Sequence, residues 1–197
     1  MIDILNNNMF HLHNEKVSYV INILPNGHLG HAYYGKKLGK ITIEDIQYMT
    51  STESKSAGTV KFSPAIPNFS LQDQHQEIPV YGTSDFKEGL IKVSDGDDAL
   101  YLDFQYISHR ITKEKPRNLA FPASFAKDGQ VESITFCLED SFNYLRLEVT
   151  FSIFENLGTI ARGQKLTNLC ERKRKIQRFL SGALDMKNQQ FDFLHLS

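Results

Sequence analysis

The amino-acid sequence predicts an all-β protein, an antiparallel β-sandwich with few and short helices. One observation is that apolar and polar residues alternate with a period of two in several separate segments, the pattern of half-buried strands. Another is that turn-forming residues separate these segments, as in a sandwich or barrel. Hydrophobic residues make up 41% and charged residues 23% of the 197 residues, the usage of an ordinary globular protein. A chain of this length can bury a core without disulfides or metal.

The clearest strand spans residues 145–154, where the odd positions are apolar and the even positions are mostly polar. Such a strand buries one face and leaves the other in water. Weaker forms of the same pattern predict strands at residues 17–24, 28–34, 100–107, 131–138 and 159–169.

Turn sequences support this division of the chain. Asn26-Gly27 lies between the segments 17–24 and 28–34, and Asn-Gly favours the positive φ angles of a tight hairpin. Further turn sequences precede or separate the later strands at residues 95–98, 128–129 and 156–158.

Helical patterns are weak. Residues 41–49 predict one short helix, which Thr42 caps while Asp45 reaches back to the cap. The small, polar residues 51–59 predict a loop, so residues 40–80 form a long excursion between strands. Long loops within compact domains are uncommon and are often functional.

The charge balance gives no reason to expect nucleic-acid or membrane partners. Lys and Arg total 22 against 23 for Asp and Glu, a net charge of −1. No apolar run approaches the roughly 20 residues of a membrane helix, and the first residues do not resemble a secretion signal. The two cysteines, Cys137 and Cys170, permit at most one disulfide, and we expect buried free thiols. These features predict a cytoplasmic protein.

Catalytic signatures are missing from the sequence. There is no Gly-x-Ser-x-Gly motif and no Gly-rich phosphate loop. Adjacent carboxylates at residues 97–98 and 139–140 would point to opposite sides of a strand and cannot share one reacting bond. The basic run at residues 171–175 is short and lacks aromatic neighbours, which predicts a solvated turn or a charged edge strand. We therefore expect no catalytic residue and no cofactor.

Four N-terminal histidines raise the question of a metal site: His11, His13, His28 and His31. On a strand, His11 and His13 face the same side, and a hairpin could bring His28 or His31 near enough for zinc. The spacing matches no metal motif, and no cysteine or carboxylate is fixed beside them. We therefore expect surface or hydrogen-bonded histidines and no metal.

Several segments, read in order, are similar to the motifs of one enzyme family. Residues 31–36 (HAYYGK) resemble H-x-Y-W-G-K, and residues 76–86 (QEIPVYGTSDF) resemble Q-E-Y-P-x-Y-G-T-G-D-F. Weaker matches follow at residues 108–111, 115–116, 121–124, 181–185 and 191–197. In this order the segments resemble glycoside hydrolase family 36, the bacterial α-galactosidases, over essentially the whole chain.

The resemblance implies a particular architecture. In the family a large N-terminal β-sandwich, a supersandwich of the galactose-mutarotase type, precedes a (β/α)8 barrel that carries the chemistry. The barrel supplies two carboxyl groups for retaining cleavage, which need to lie about 5–5.5 Å apart. Nothing in this chain resembles those barrel motifs. The resemblance therefore implies that residues 1–197 are a single β-sandwich domain, the front part of a larger N-terminal domain. It also implies that the catalytic barrel is absent from this chain and that the chain alone is inactive.

The resemblance also implies a role for the long excursion. The resemblance implies a tetramer in which an N-terminal loop, here about residues 47–71, reaches towards the active site of a neighbouring subunit. The implied substrate-rim candidates are Thr59, Phe62, Pro67 and Gln72. Phe62 is the best of them because an aromatic ring can stack on the apolar face of a sugar. The alternative is that Phe62 is a packing anchor for the loop.

Some positions depart from the family pattern. Tyr34 stands where members commonly have Trp, and Gln72 stands where they have Asp. Lys87 replaces an Arg, and Lys is a poorer bidentate partner for a carboxylate. Thr59 and Pro67 stand where charged loop residues shape the sugar pocket in relatives. The roles of those charged residues are therefore not carried over.

Three interpretations remain open. The first is the non-catalytic N-terminal β-sandwich of an α-galactosidase-like hydrolase that acts on α-galactosides. Its partner would be the catalytic barrel of the full-length protein, and it would scaffold both this barrel and a homo-oligomer. The alternative is a free-standing carbohydrate-binding β-sandwich. The third is a small sugar-ring epimerase, which requires a histidine such as His31 or His109 and a carboxylate in one cleft.

Overall fold

Antiparallel strands dominate the computed structural model, which confirms the all-β class and the sandwich architecture. The structure describes residues 1–51, 60–82, 85–116, 127 and 129–186. Within these residues there are eleven strands, one short α-helix and one 3-10 turn. No helix in this part of the chain is both long and apolar enough to cross a membrane.

The first sheet is an up-and-down arrangement of four consecutive strands. These are β1 (Ile2–Asn6), β2 (Met9–His13), β3 (Val17–Ile23) and β4 (Leu29–Lys36), paired in that order. The predicted hairpin turn between β3 and β4 is confirmed. Gly27 has a φ of 84°, and its N–H donates to the Leu24 carbonyl at 2.8 Å.

The second sheet has four strands and a third sheet has three. The second contains β7 (Gln105–Thr112), β8 (Val131–Asp140), β9 (Leu145–Phe154) and β10 (Ile160–Asn168), in the order β10-β9-β8-β7. The third contains β5 (Ile91–Asp95), β6 (Asp98–Ala99) and β11 (Lys175–Phe179), in the order β11-β5-β6.

The predicted short helix is confirmed as α1 (Ile43–Thr50). The Thr42 hydroxyl accepts from the Asp45 N–H at 3.3 Å, and the Asp45 carboxylate accepts from the Thr42 N–H at 2.8 Å. This reciprocal pair satisfies two N–H groups that the first turn would leave without partners. Ile46 is the buried residue of the helix and packs near Val20 of β3.

The core lies between the first and second sheets, where buried aromatic rings meet. Phe10 of β2 meets Phe136 of β8 edge-on at 4.9 Å, and Tyr19 of β3 meets Phe151 of β9 at 5.6 Å. Phe136 and Phe151 also contact each other across β8 and β9, at 6.1 Å. Fully burying a side chain of this size stabilises the fold by roughly 1.5–3 kcal/mol. The two sheets therefore pack face to face.

Two details of the sequence prediction were wrong. The strand expected at residues 100–107 begins only at Gln105 and runs on to Thr112. Leu102 and Phe104 are buried, but they lie in a segment outside the sheet ladders. The alternation of apolar and polar residues in this segment therefore reflects alternate burial and not strand pairing. Cys137 and Cys170 are free thiols as expected, but they are half-exposed rather than buried.

Candidate functional site

Three of the four predicted substrate-rim residues lie in the described part of the chain. Thr59 lies outside the described residues. Phe62 is half-buried, and its ring contacts His28 at 5.8 Å and Phe69 at 6.1 Å, both edge-on. These are the contacts of a packing anchor.

The two remaining rim candidates lie on the same excursion. Pro67 is exposed, whereas Gln72 is half-buried in the 3-10 turn Leu71–Asp73. The Ser70 hydroxyl caps this turn by accepting from the Gln72 N–H at 3.3 Å. A role of these residues beside a bound sugar stays a prediction.

A buried polar cluster at the edge of the sandwich is the more prominent feature. We call Tyr19, His31, Glu77 and Arg162 the Glu77 cluster. The Glu77 side chain is 0% exposed, and its Oε1 accepts from the Tyr19 hydroxyl and lies 2.8 Å from Nδ1 of His31. Arg162 places Nη2 3.5 Å from Oε2 of Glu77 and donates to the Glu77 carbonyl at 2.9 Å. Burying a carboxylate is costly unless it is paired in this way.

Three separate parts of the chain meet in this cluster. Tyr19 and His31 come from the neighbouring strands β3 and β4, and Arg162 comes from β10 of the second sheet. The segment 75–77 runs along β4, since the His31 N–H donates to the His75 carbonyl at 3.0 Å and the Glu77 N–H donates to the Leu29 carbonyl at 2.9 Å. The cluster therefore links the edges of the two sheets.

Gly30 permits this close approach of segment 75–77 to β4. A Cβ at Gly30 would lie 2.9 Å from the His75 carbonyl oxygen and 2.8 Å from a Leu24 methyl carbon. A larger residue would push the segment away from β4, and Glu77 would move with it.

The surroundings set the charges in the cluster. Burial acts to lower the pKa of His31, but the hydrogen bond and charge of Glu77 and the Asp185 carbonyl outweigh it and raise that pKa. Burial, and then the Glu77 charge, raise the pKa of Tyr19 far above its ordinary value. Tyr19 is therefore a neutral donor, and His31 is held as a cation more firmly than an exposed histidine.

A ring of further polar contacts surrounds the cluster. The Lys87 ammonium lies 2.6 Å from the Asp185 carboxylate and also donates to the Gln74 carbonyl. The Asp85 carboxylate accepts from the Gln76 amide and, at 3.2 Å, from the Lys87 N–H. Lys87 thus makes a single-point contact with a carboxylate, as its ammonium group allows.

A cavity of about 330 Å³ lies beside the cluster. Its walls combine aromatic rings with the polar groups of the cluster, and they include Tyr19, Tyr34, Glu77, Phe151, Arg162 and residues 181–184. Within the described residues, Oε2 of Glu77 has no hydrogen-bond partner. An apolar cavity with a few polar groups is the usual form of a small-molecule site.

The cavity does not carry the groups for glycoside hydrolysis. Of the described residues that line it, Glu77 alone carries a carboxylate, whereas retaining cleavage uses two, about 5–5.5 Å apart. His31 is 1% exposed, and its two nitrogens contact Glu77 and the Asp185 carbonyl. Although His31 and a carboxylate do meet, as an epimerase would require, this imidazole cannot reach a substrate. His109 instead bonds the Tyr106 hydroxyl at 2.7 Å.

The N-terminal histidines separate into three places. His28 lies 2.6 Å from the Asp103 carboxylate and His31 lies in the Glu77 cluster, while His11 and His13 stack at 4.4 Å. The expectation that no carboxylate is fixed beside them was wrong, because Asp3 lies 2.9 Å from His13. Burial lowers the pKa of His11 to about 4, with smaller contributions from neighbouring charges.

Fold and site together define a β-sandwich domain with a buried polar cluster at the joined edges of its sheets. The sequence model described as "Glycosyl hydrolase family 36 N-terminal domain" matches residues 27–197. The chain therefore belongs to the family of glycosyl hydrolase family 36 N-terminal domains, and the resemblance predicted from the sequence motifs is confirmed.

Named relatives are similar along almost the whole chain. "Alpha-galactosidase AgaA" of Geobacillus stearothermophilus is 29% identical over 189 residues, covering 95% of this chain and 25% of the relative. "Alpha-galactosidase 1" of Pediococcus pentosaceus is 25% identical over 198 residues, covering 96% and 26%. The chain thus spans about a quarter of the length of these curated relatives.

Solved structures show the same fold. The α-galactosidase AgaB of Geobacillus stearothermophilus has a TM-score of 0.81 at 26% identity, covering 93% of this chain and 25% of that one. The α-galactosidase of Lactobacillus brevis has a TM-score of 0.85 at 24% identity, covering 93% and 25%, and supports the fold alone. A variant of AgaA in complex with raffinose has a TM-score of 0.80 at 28% identity, covering 89% and 24%.

Proposed function

We propose that this chain is the non-catalytic N-terminal β-sandwich of an α-galactosidase-type glycoside hydrolase that acts on α-galactosides in the cytoplasm. It would hold a catalytic barrel in place and contribute to a homo-oligomer. The observation that carries the proposal is the match of nearly the whole chain to one quarter of α-galactosidases such as AgaA. The proposal extends to residues 1–197 as the front part of a larger N-terminal domain.

The surface supports a scaffolding role. The strand β7 is at the edge of the second sheet and exposes Ile107 and Ile111. In the third sheet, β11 likewise exposes Ile176 and Phe179. Edge strands with exposed apolar side chains are surfaces on which further chain can pack.

The Glu77 cluster supports the same role. It joins β4, β10 and the segment 75–77 through the charges of His31, Glu77 and Arg162, of which only Arg162, at 15%, is appreciably exposed. A rigid domain of this kind would hold a catalytic barrel that packs on it in a defined position.

The first test of the proposal is enzymatic. The purified 197-residue chain should not hydrolyse p-nitrophenyl α-galactoside, because the described cavity lacks a pair of carboxylates. Activity that co-elutes with the chain through two successive columns would overturn the non-catalytic assignment. AgaA of Geobacillus stearothermophilus, assayed in the same way, is the positive control.

The rim residues form a separate part of the proposal. Phe62 and Gln72, with Thr59 and Pro67, would stand beside a neighbouring subunit's sugar site. In an assembled enzyme that contains this chain, Phe62→Ala should raise KM for raffinose and leave its oligomeric state unchanged. An unchanged KM would assign Phe62 to packing alone.

The second candidate function is a carbohydrate-binding module. One observation favours it: the ring of Tyr34, which is 39% exposed, borders the cavity, and an accessible aromatic ring can stack on the apolar face of a sugar. Calorimetric titration with galactose and raffinose tests it. Saturable binding that Tyr34→Ala removes, and that Tyr48→Ala on the exposed face of α1 does not, would support this function. Absence of heat with either sugar would exclude it.

A further inference from the structure

We propose that Asp3, His11 and His13 form a binding site for a single divalent transition-metal ion of the Zn²⁺ type. The site lies on the first sheet, and none of its residues belongs to the Glu77 cluster. It is therefore independent of the galactosidase role proposed above.

The strand register places the three side chains together. Asp3 of β1 is paired directly with His11 of β2 in the antiparallel ladder. His11 and His13 are two residues apart on β2, so their side chains stand on the same side of the sheet. Two hydrogen-bonded strands therefore fix all three side chains on one face.

The distances suit a metal ion. The ligand atoms of the three residues all lie within 4.8 Å of one another. The pair formed by Nε2 of His13 and Oδ2 of Asp3 is 2.9 Å apart, and the two imidazole rings stack at 4.4 Å. Zinc binds nitrogen and oxygen at about 2.0–2.2 Å, which puts tetrahedral ligand atoms about 3.3 Å apart. Binding therefore requires side-chain rotations that change these separations by at most about 1.5 Å.

A neighbouring hydroxyl already orients one imidazole. Nε2 of His11 is 2.9 Å from the Ser18 hydroxyl oxygen, which also accepts from the Leu38 N–H at 2.9 Å. Proteins commonly hold one ring nitrogen of a ligating histidine in this way, so that the other nitrogen faces the metal. His11 is buried, and this hydrogen bond fixes the orientation of its ring.

The opposite side of the site is open to solvent. Asp3 and His13 have side chains 59% and 28% exposed, and they line a groove of about 700 Å³. The groove gives an entry path and leaves room for water as a fourth ligand. Lys37 and Lys40 also line it, but both oxygens of the Glu15 carboxylate lie 2.7 Å from the Lys37 ammonium and offset its charge.

The ligand set selects the class of ion. Two imidazoles and one carboxylate suit Zn²⁺ and its transition-metal neighbours, whereas Mg²⁺ and Ca²⁺ prefer oxygen ligands. The pair formed by His28 and Asp103, at 2.6 Å, joins one imidazole to one carboxylate and provides a matched comparison. The proposed site differs from this pair by having two imidazoles, those of His11 and His13, on the same face of one strand.

Calorimetric titration of the 197-residue chain with ZnCl₂ tests the proposal, with MgCl₂ as the ion control. We expect one Zn²⁺ per chain and no heat from Mg²⁺. Asp3→Asn and His13→Gln should each weaken Zn²⁺ binding roughly tenfold or more, since even loss of an orienting partner costs 10–100-fold. Asp103→Asn should leave Zn²⁺ binding unchanged. Equal binding by all four proteins, or binding of Mg²⁺ as tight as that of Zn²⁺, would overturn the proposal.

A second measurement needs no variant, so it stands even if a substitution disturbs folding. In imidazole ¹H–¹⁵N spectra of the unaltered chain, one equivalent of Zn²⁺ should shift the ring signals of His11 and His13. The ring signals of His28 and His31 should stay in place. Shifts confined to His28 or His31, or no shift at all, would contradict the assignment.

Discussion

Replacing Glu77 by Gln removes the charge of the Glu77 cluster and keeps its shape. The glutamine carbonyl can still accept from the Tyr19 hydroxyl, so one hydrogen bond survives. His31 at 2.8 Å and Arg162 at 3.5 Å lose the carboxylate that offsets their charges. Breaking a buried ion pair from one side costs about 3–5 kcal/mol. We expect a loss of unfolding free energy near 3 kcal/mol, because Arg162 keeps its hydrogen bond to the main-chain carbonyl of residue 77.

The same substitution should reverse the direction of the pKa shift of His31. In the unaltered chain, interactions with Glu77 and the Asp185 carbonyl outweigh burial and raise that pKa above its ordinary value of 6.5. Without the Glu77 charge, burial is the dominant influence and lowers the pKa of His31. The variant should therefore show a neutral His31 at pH 6.5, where the unaltered chain has a mostly charged one.

Urea unfolding and histidine NMR titration measure these two effects. The urea midpoint should fall with an unchanged m-value, since the surface exposed on unfolding is the same. Glu15→Gln is the control, because this exposed carboxylate pairs with Lys37 at the surface and its loss should not change the midpoint. An unchanged midpoint for Glu77→Gln, or a His31 pKa that stays raised, would refute the reasoning.

The remaining predictions concern the core, the hairpin and the pH dependence. Phe136→Ala should lower the unfolding free energy by about 3–5 kcal/mol. Phe142→Ala, at a side chain that is 88% exposed, should leave it almost unchanged. Equal losses of unfolding free energy in the two variants would contradict the face-to-face packing of the sheets. Gly27→Ala should cost about 1–2 kcal/mol because its φ is 84°, and an unchanged urea midpoint would argue against this turn. His11 has a pKa lowered from 6.5 to about 4, so its contribution is present above pH 6.5 and is lost as the pH falls towards 4, by up to about 3 kcal/mol. The unfolding free energy of the His11→Gln variant, measured over the same pH range, should lack this loss. His31 has a raised pKa, so its contribution is present below pH 6.5 and is lost as the pH rises through the folded value; the Glu77→Gln variant should lack this loss.

Strand prediction from the sequence worked where period-two burial coincides with pairing. β9 was predicted at the bounds 145–154 that the structure shows, because its apolar odd positions all belong to the core. β7 was misplaced because Leu102 and Phe104 alternate in burial without pairing in a ladder. β1 and β2 were not predicted, since their polar residues mask the alternation.

Of the Glu77 cluster, the sequence motifs contained only His31 and Glu77. Its partners come from distant parts of the chain, and the bond between His31 and the Asp185 carbonyl joins residues 154 positions apart. One local signal was available: Glu77 is a charged residue directly before the apolar run 78–80, where burial would require a partner. Naming that partner required the pairing of segment 75–77 with β4.

Asp3 was missed for a related reason. Its proximity to His11 depends on the register between β1 and β2, and neither strand was predicted. Sequence spacing placed His11 and His13 on one face but gave no information about the residue across the ladder.

Immunocapture from extract of the source cells, with antibody to this chain, tests the proposed function most directly. The captured protein is sized on a blot and assayed with an aryl α-galactoside. Since the chain spans about a quarter of its relatives, the account predicts captured galactosidase activity in a band roughly four times the 22.5 kDa mass of the chain. A captured band at 22.5 kDa with no galactosidase activity would contradict it.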